Sequence, residues 1–104
     1  MPIRRTGTFD KWLRKLRDTI GKNLILARIG RLEDGNRWDW GPVNENLFEL
    51  RIHFGPGYRI YCKDPGREII VLLCGGDKST QQADIEKAKK IALESLQEEH
   101  NGNS

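Results

Sequence analysis

The 104-residue chain has little cysteine, little histidine and no long apolar run. Its two cysteines, Cys62 and Cys74, cannot build a disulfide framework and lack the spacing of zinc ligands. Each sits in an apolar run, which reads as a buried thiol in a reducing cytoplasm. The longest apolar run, 69–74, is far too short to span a bilayer, and the basic N-terminal stretch has no apolar signal core. No membrane partner is therefore expected, and the expected location is the cytoplasm. The only histidines, His53 and His100, have no carboxylate pair at ligand spacing, so neither a metal nor another cofactor is expected. No Ser-His-Asp or Cys-His set can be assembled for nucleophilic catalysis.

What the chain does have is charge. Charged residues make up 32% and the hydrophobic set 37%, a balance that suits one globular domain over 1–104 and not a disordered chain. The net charge of +3 is uneven: residues 1–35 carry +5, residues 36–75 balance, and residues 76–104 carry −2. A basic end of this kind can face a polyanion, although a solvated helix surface explains it as easily.

Phe9, Trp12, Leu13, Leu16 and Ile20 recur at helical spacing, with Thr8 as the expected N-cap and Gly21 as the stop. Leu24, Ile25, Arg28, Ile29 and Leu32 mark a second helix, so the pair should fold back as a helical hairpin across 21–23. Strand-like runs follow at 37–40, 47–54, 57–63 and 68–74, and the N-terminal 1–7 reads as a short edge strand. Asp64-Pro65-Gly66 turns the third run into the fourth, giving an antiparallel meander. The last run is apolar on both faces, as in a central or doubly covered strand. Ser79 with Gln82 reads as a capping box opening a final helix that turns Ile85, Ala88, Ala92 and Leu96 inward, with a frayed tail from 98. The fold class is α+β: an N-terminal helical hairpin on a small, twisted, mainly antiparallel sheet, with a C-terminal helix.

The most informative stretch is "ELRIHFGPGYRIYCK", 49–63. Successive strand residues point to opposite faces, so Leu50, Ile52, Phe54, Tyr58, Ile60 and Cys62 form an apolar face. Glu49, Arg51, His53, Arg59, Tyr61 and Lys63 form the other. With 55–57 as the loop, Phe54 opposes Tyr58, Arg51 opposes Tyr61 and His53 opposes Arg59. A solvated exterior is the ordinary reading of such a polar face. The odd feature is His53 beside Arg59, because cross-strand like charges are normally avoided and an anionic ligand would relieve the conflict.

Downstream, Gly75-Gly76-Asp77-Lys78-Ser79 links a strand to a helix, yet a Walker loop would need glycines at Leu72 and Asp77. What remains is a glycine pair read as mobile, a lysine, and helix amides that favour an anion. Trp38 and Trp40 share a strand face and read as core or sheet cover before they read as base-stacking platforms. Arg, His, Tyr and Lys together suit one chemistry that needs no metal. RNA carries its own nucleophile, the 2′-hydroxyl, so the protein need only position it, move protons and stabilise charge on phosphorus.

The segments "FDKWLRKLRD", "NLFELRIHFGPGYRIYCK" and "IVLLCGGDKSTQQADIEKAKKIA", in this order, resemble the RelE/ParE toxin superfamily in its phage-type, HigB-like branch of addiction-module killer proteins. The resemblance runs from about Phe9 to Ala92. It implies a toxin neutralised by a co-encoded antitoxin, here of helix-turn-helix type, and mRNA cleavage at the ribosome without metal. Carried onto this chain, it places Arg51 and His53 on the first catalytic strand, Arg59 on the next, and Lys78 before the last helix. His53 then serves as proton acceptor or donor, since histidine exchanges protons near neutrality. Arg51, Arg59 and Lys78 hold the phosphate, while Tyr61 and Lys63 contact the RNA. This chain lacks the Tyr or His that many relatives carry at the start of the final helix, which leaves the general base open. The superfamily also holds ParE-like gyrase poisons, and a member that only binds its antitoxin is a third reading.

Overall fold

The structure, a computed structural model, describes residues 2–44, 46–64 and 69–102, with side chains as far as Glu94. Strand β1 (Ile3–Arg5) leads into helices α1 (Gly7–Lys15) and α2 (Thr19–Glu33). Strands β2 (Trp40–Pro42), β3 (Leu47–Ile52), β4 (Tyr58–Lys63) and β5 (Ile70–Asp77) follow, and a 3-10 turn (Lys78–Thr80) opens α3 (Gln81–Gly102). The sheet order is β1-β5-β4-β3-β2, antiparallel except for β1, which runs parallel to β5. The expected α+β class, N-terminal edge strand and meander are all present. The turn expected at 64–66 falls largely outside the described residues. The stretch expected as a tail is helical as far as Gly102, and the side chain of Leu96 lies outside the described set.

Two apolar cores sandwich the sheet. Phe9, Leu13, Ile25, Ile29 and Leu32 of α1 and α2 pack on Leu50, Ile52, Ile60, Cys62 and Leu72. On the other face Ala88 of α3, flanked by Ile85 and Ile91, covers Tyr61, Val71, Leu73 and Cys74. Strand β5 is thus covered on both faces, which accounts for its unbroken apolar run.

The helix boundaries differ from expectation for a local reason. Thr6, not Thr8, caps α1, its side chain accepting from the amide of Phe9 at 3.1 Å. The first helix ends at Lys15, and Asp18 caps α2 by accepting from the amide of Gly21 at 2.9 Å. Gly21 is therefore in the first turn of α2 and stops nothing. The last cap is Asp77, boxed with Thr80, in place of Ser79 with Gln82.

The hairpin register is shifted by two residues. Ile52 pairs with Tyr58, Leu50 with Ile60, Arg51 with Arg59 and Glu49 with Tyr61. The loop is five residues, 53–57, with Gly55 and Gly57 at positive φ and the Gly57 amide bonded to the Phe54 carbonyl at 3.0 Å. A shift of two preserves every face, so the apolar set stays inward. Phe54 and His53, however, leave the strand. The glycine pair of the sequence is not a mobile loop: Gly75 and Gly76 lie in β5, opposite Ile60 and Arg59. A Cβ on Gly75 would overlap the Trp12 ring, and one on Gly76 would overlap the Asp84 carboxylate, so both positions require close backbone approach.

Candidate functional site

At the loop end of β3 and β4 the cationic residues converge. Arg51 and Arg59 are direct cross-strand partners, two like charges that would repel without a counter-ion. Glu49 supplies it from the same face: its Oε1 accepts from Nε of Arg51 at 3.1 Å and from Nη1 of Arg59 at 3.4 Å. Its Oε2 accepts from Nε2 of Gln81 at 3.4 Å, tying the cluster to the first residue of α3. The Glu49 side chain is 8% exposed and that of Arg59 is 14% exposed, so the pair works in a largely dehydrated setting.

Arg51 reaches a second carboxylate, Asp39, at 3.6 Å. Gly41 gives it room, since a Cβ there would overlap the guanidinium. Asp39 also lies 2.6 Å from Nε2 of His53, and it is the one described non-glycine residue at positive φ. Its carbonyl accepts from the Arg51 amide at 3.0 Å, which fixes this turn against the end of β3. His53 itself is 74% exposed, beyond the strand and no longer opposite Arg59. Lys78 is exposed two residues past Gly76, the partner of Arg59, and its amide bonds the carbonyl of Pro56 at 3.4 Å. Four of the expected site residues, Arg51, His53, Arg59 and Lys78, therefore gather at one end of the sheet.

Tyr61 and Lys63 do not join them. Tyr61 is fully buried beneath α3, its hydroxyl without a partner among the described residues. Burial, reinforced by Glu49 and Asp84, pushes its pKa up. The ring packs on its own side of the sheet as expected, but α3 covers that side and leaves no face open for a base. Lys63 is buried at the far end of β4, beside Asn44, Asn46 and Lys89, roughly 13 Å along the strand from Arg59 at about 3.3 Å per residue. Trp38 lies in a turn before β2 and is 65% exposed, and Trp40 is half exposed with its edge on Phe48. Among the described residues no cluster of His, Cys, Asp or Glu is arranged to hold a metal ion.

Sequence reasoning missed Asp39, Gln81 and the role of Glu49. Alternation marked Glu49 as a member of the polar face but not as the shared counter-ion of two arginines. Asp39 gives no pattern of its own, because its position depends on the turn geometry between α2 and β2.

The family described as Phage derived protein Gp49-like matches residues 9–97. An uncharacterised protein of Haemophilus influenzae is 52% identical over 92 residues, covering 88% of this chain and 93% of that one. In three dimensions the chain is similar to an arginine double mutant of the E. coli toxin RelE in the free state. The TM-score is 0.62 at 15% identity, over 86% of this chain and 94% of that one.

Proposed function

This chain belongs to the phage-derived Gp49-like family and has a RelE-like fold, and on that premise we propose that it is the toxin of a type II toxin–antitoxin module, an mRNA endoribonuclease acting at the ribosome. The observation that carries the reading is the gathering of Arg51, His53 and Arg59 around Glu49 and Asp39 at the end of the sheet where Lys78 is anchored to the hairpin loop. In the proposed reaction the 2′-hydroxyl of the substrate attacks the neighbouring phosphorus and the 5′-oxygen of the next nucleotide leaves. His53, oriented by Asp39, exchanges the proton. Lys78 and Arg51 meet the phosphate from the exposed rim. Arg59, already fixed by Glu49, presents a guanidinium that needs no reorganisation as charge builds on phosphorus. Donors of this kind are each worth about 10²–10³ in rate.

The cognate partner is a helix-turn-helix antitoxin, and the substrate is mRNA on the ribosome. The site of action is the cytoplasm, which suits two free, buried thiols. Among the described residues no helix is long and apolar enough to cross a membrane. Primer extension on cellular mRNA after induction tests the reading: discrete in-frame cuts are expected. Growth arrest with intact mRNA and disturbed plasmid supercoiling would instead establish a gyrase-directed toxin.

A further inference from the structure

Beside the proposed site, on the α2 side of β3, lies a cavity of about 270 Å³. Arg28 and Arg31 of α2, Trp38 and Asp39 of the following turn, and Arg51 and His53 line its polar side. Arg28 is its least ordinary member. The residue is 5% exposed, and its Nε and Nη2 are buried with no hydrogen-bond partner among the described residues. Burial lowers its pKa, with Asp39 pulling the other way. A dehydrated guanidinium without a partner is costly, and a ligand that supplies negative charge offsets the cost.

Among the described residues Asp39 is the one carboxylate on the lining, and Arg51 and His53 already engage it. Arg28 and Arg31 are thus left in excess of the available negative charge. The same rim carries the indole of Trp38, an exposed aromatic face held in its turn by the bond from its amide to Oδ1 of Asn36 at 3.1 Å. Cations beside an exposed aromatic ring are the pairing that single-stranded nucleic acid uses, with phosphate on charge and base on ring. The volume lies near the lower end for small-ligand pockets, roughly 300 Å³, which fits one nucleotide. Arg51 and His53 belong both to this cavity and to the site above, so a strand can pass from one to the other without leaving basic surface.

We propose that this cavity is a subsite for one nucleotide of single-stranded RNA next to the scissile phosphate, with its phosphate on Arg28 and Arg31 and its base on Trp38. The inference rests on the nuclease reading and adds the place where the flanking nucleotide is held. It is tested by fluorescence anisotropy of a short 2′-O-methylated RNA, which binds without being cut. Trp38→Ala and Arg31→Gln alter exposed residues and keep the melting temperature. Each should weaken binding roughly tenfold. An abasic oligonucleotide of the same length should lose the Trp38 effect and keep the Arg31 effect, which separates base from phosphate. The inference is overturned if the oligonucleotide binds wild type no better than it binds the Trp38→Ala/Arg31→Gln double variant. Discrete mRNA cuts by wild type in that case would leave the nuclease reading standing alone. It is equally overturned if the two substitutions abolish antitoxin capture and leave RNA affinity unchanged, because the cavity would then be a protein contact.

Discussion

The hydroxyl of Tyr58 donates to Oδ2 of Asp18 at 2.7 Å, joining the break between α1 and α2 to the strand that carries Arg59. Asp18 caps α2 and receives Tyr58 with the same carboxylate, so a local signal and a contact forty residues away agree on where the helix begins. The amide of Gly21 and then the Tyr58 hydroxyl lower the Asp18 pKa. Burial, followed by the bond to Asp18, raises that of Tyr58 to about 12.

That bond sets an alkaline limit on stability. The folded pKa of Tyr58 is raised above its ordinary value of 10.0, so its contribution is intact below pH 10 and is lost as pH rises toward about 12. Tyr61 and the two buried thiols shift the same way and add to the loss. Tyr58→Phe should lower the melting temperature at pH 7 and flatten its fall between pH 10 and 12. Melts recorded across that range check both effects.

The acid side follows the opposite sign. Asp18 is depressed below its ordinary value of 3.8, so its stabilisation is present above that pH and lost as pH falls through the folded pKa. Asp18→Asn should reduce the steepness of acid unfolding below pH 4, read from circular dichroism against pH.

Two glycines should respond in opposite directions to alanine. Gly75→Ala forces Trp12 off the strand and should destabilise the fold, because the ring stands where the methyl would go. Gly30, exposed in α2 with nothing within 4 Å of an added Cβ, should gain about 0.4–1 kcal/mol as alanine. Urea unfolding of the two variants beside wild type tests the pair.

Glu49 is shared by two cross-strand arginines, of which Arg51 also reaches Asp39 and Arg59 does not. Glu49→Ala strands Arg59 in a largely dehydrated place and should cost about 3–5 kcal/mol, the usual result of removing one partner of a buried ion pair. Glu49→Gln keeps the hydrogen-bonding shape and should cost less. Denaturant midpoints at neutral pH rank the two.

How much of this was legible in the sequence depended on whether a property belongs to one strand or to a pair of elements. Alternation assigned Leu50, Ile52, Ile60 and Cys62 to the core and Arg51 and Arg59 to the other face, and both assignments hold. It could not give the register, because the three-residue loop suggested by Gly55-Pro56-Gly57 and the observed five-residue loop preserve the same faces. Tyr61 looked available because its strand face is polar on paper, but α3 covers that part of the sheet. The start of α2 escaped because Asp18 is fixed partly by Tyr58, a contact no local window contains. Glycine at 75 and 76 read as flexibility, when the crowding of Trp12 and Asp84 requires the missing side chains.

Lys78 offers the cleanest separation of chemistry from folding. It is exposed, so Lys78→Ala should change stability by no more than about 0.5 kcal/mol. Arg59→Ala confounds the two effects, since it also deprives Glu49 of a partner. The most direct measurement is therefore transcriptome-wide capture of 5′-hydroxyl RNA ends after induction of wild type and Lys78→Ala at equal levels of folded protein. Attack by the 2′-hydroxyl predicts discrete in-frame cuts with 5′-hydroxyl ends in wild type, reduced at least tenfold in Lys78→Ala, below the about 10²–10³ of one key donor. Growth arrest with intact mRNA, cuts bearing 5′-phosphates, or undiminished cutting by Lys78→Ala would contradict the account.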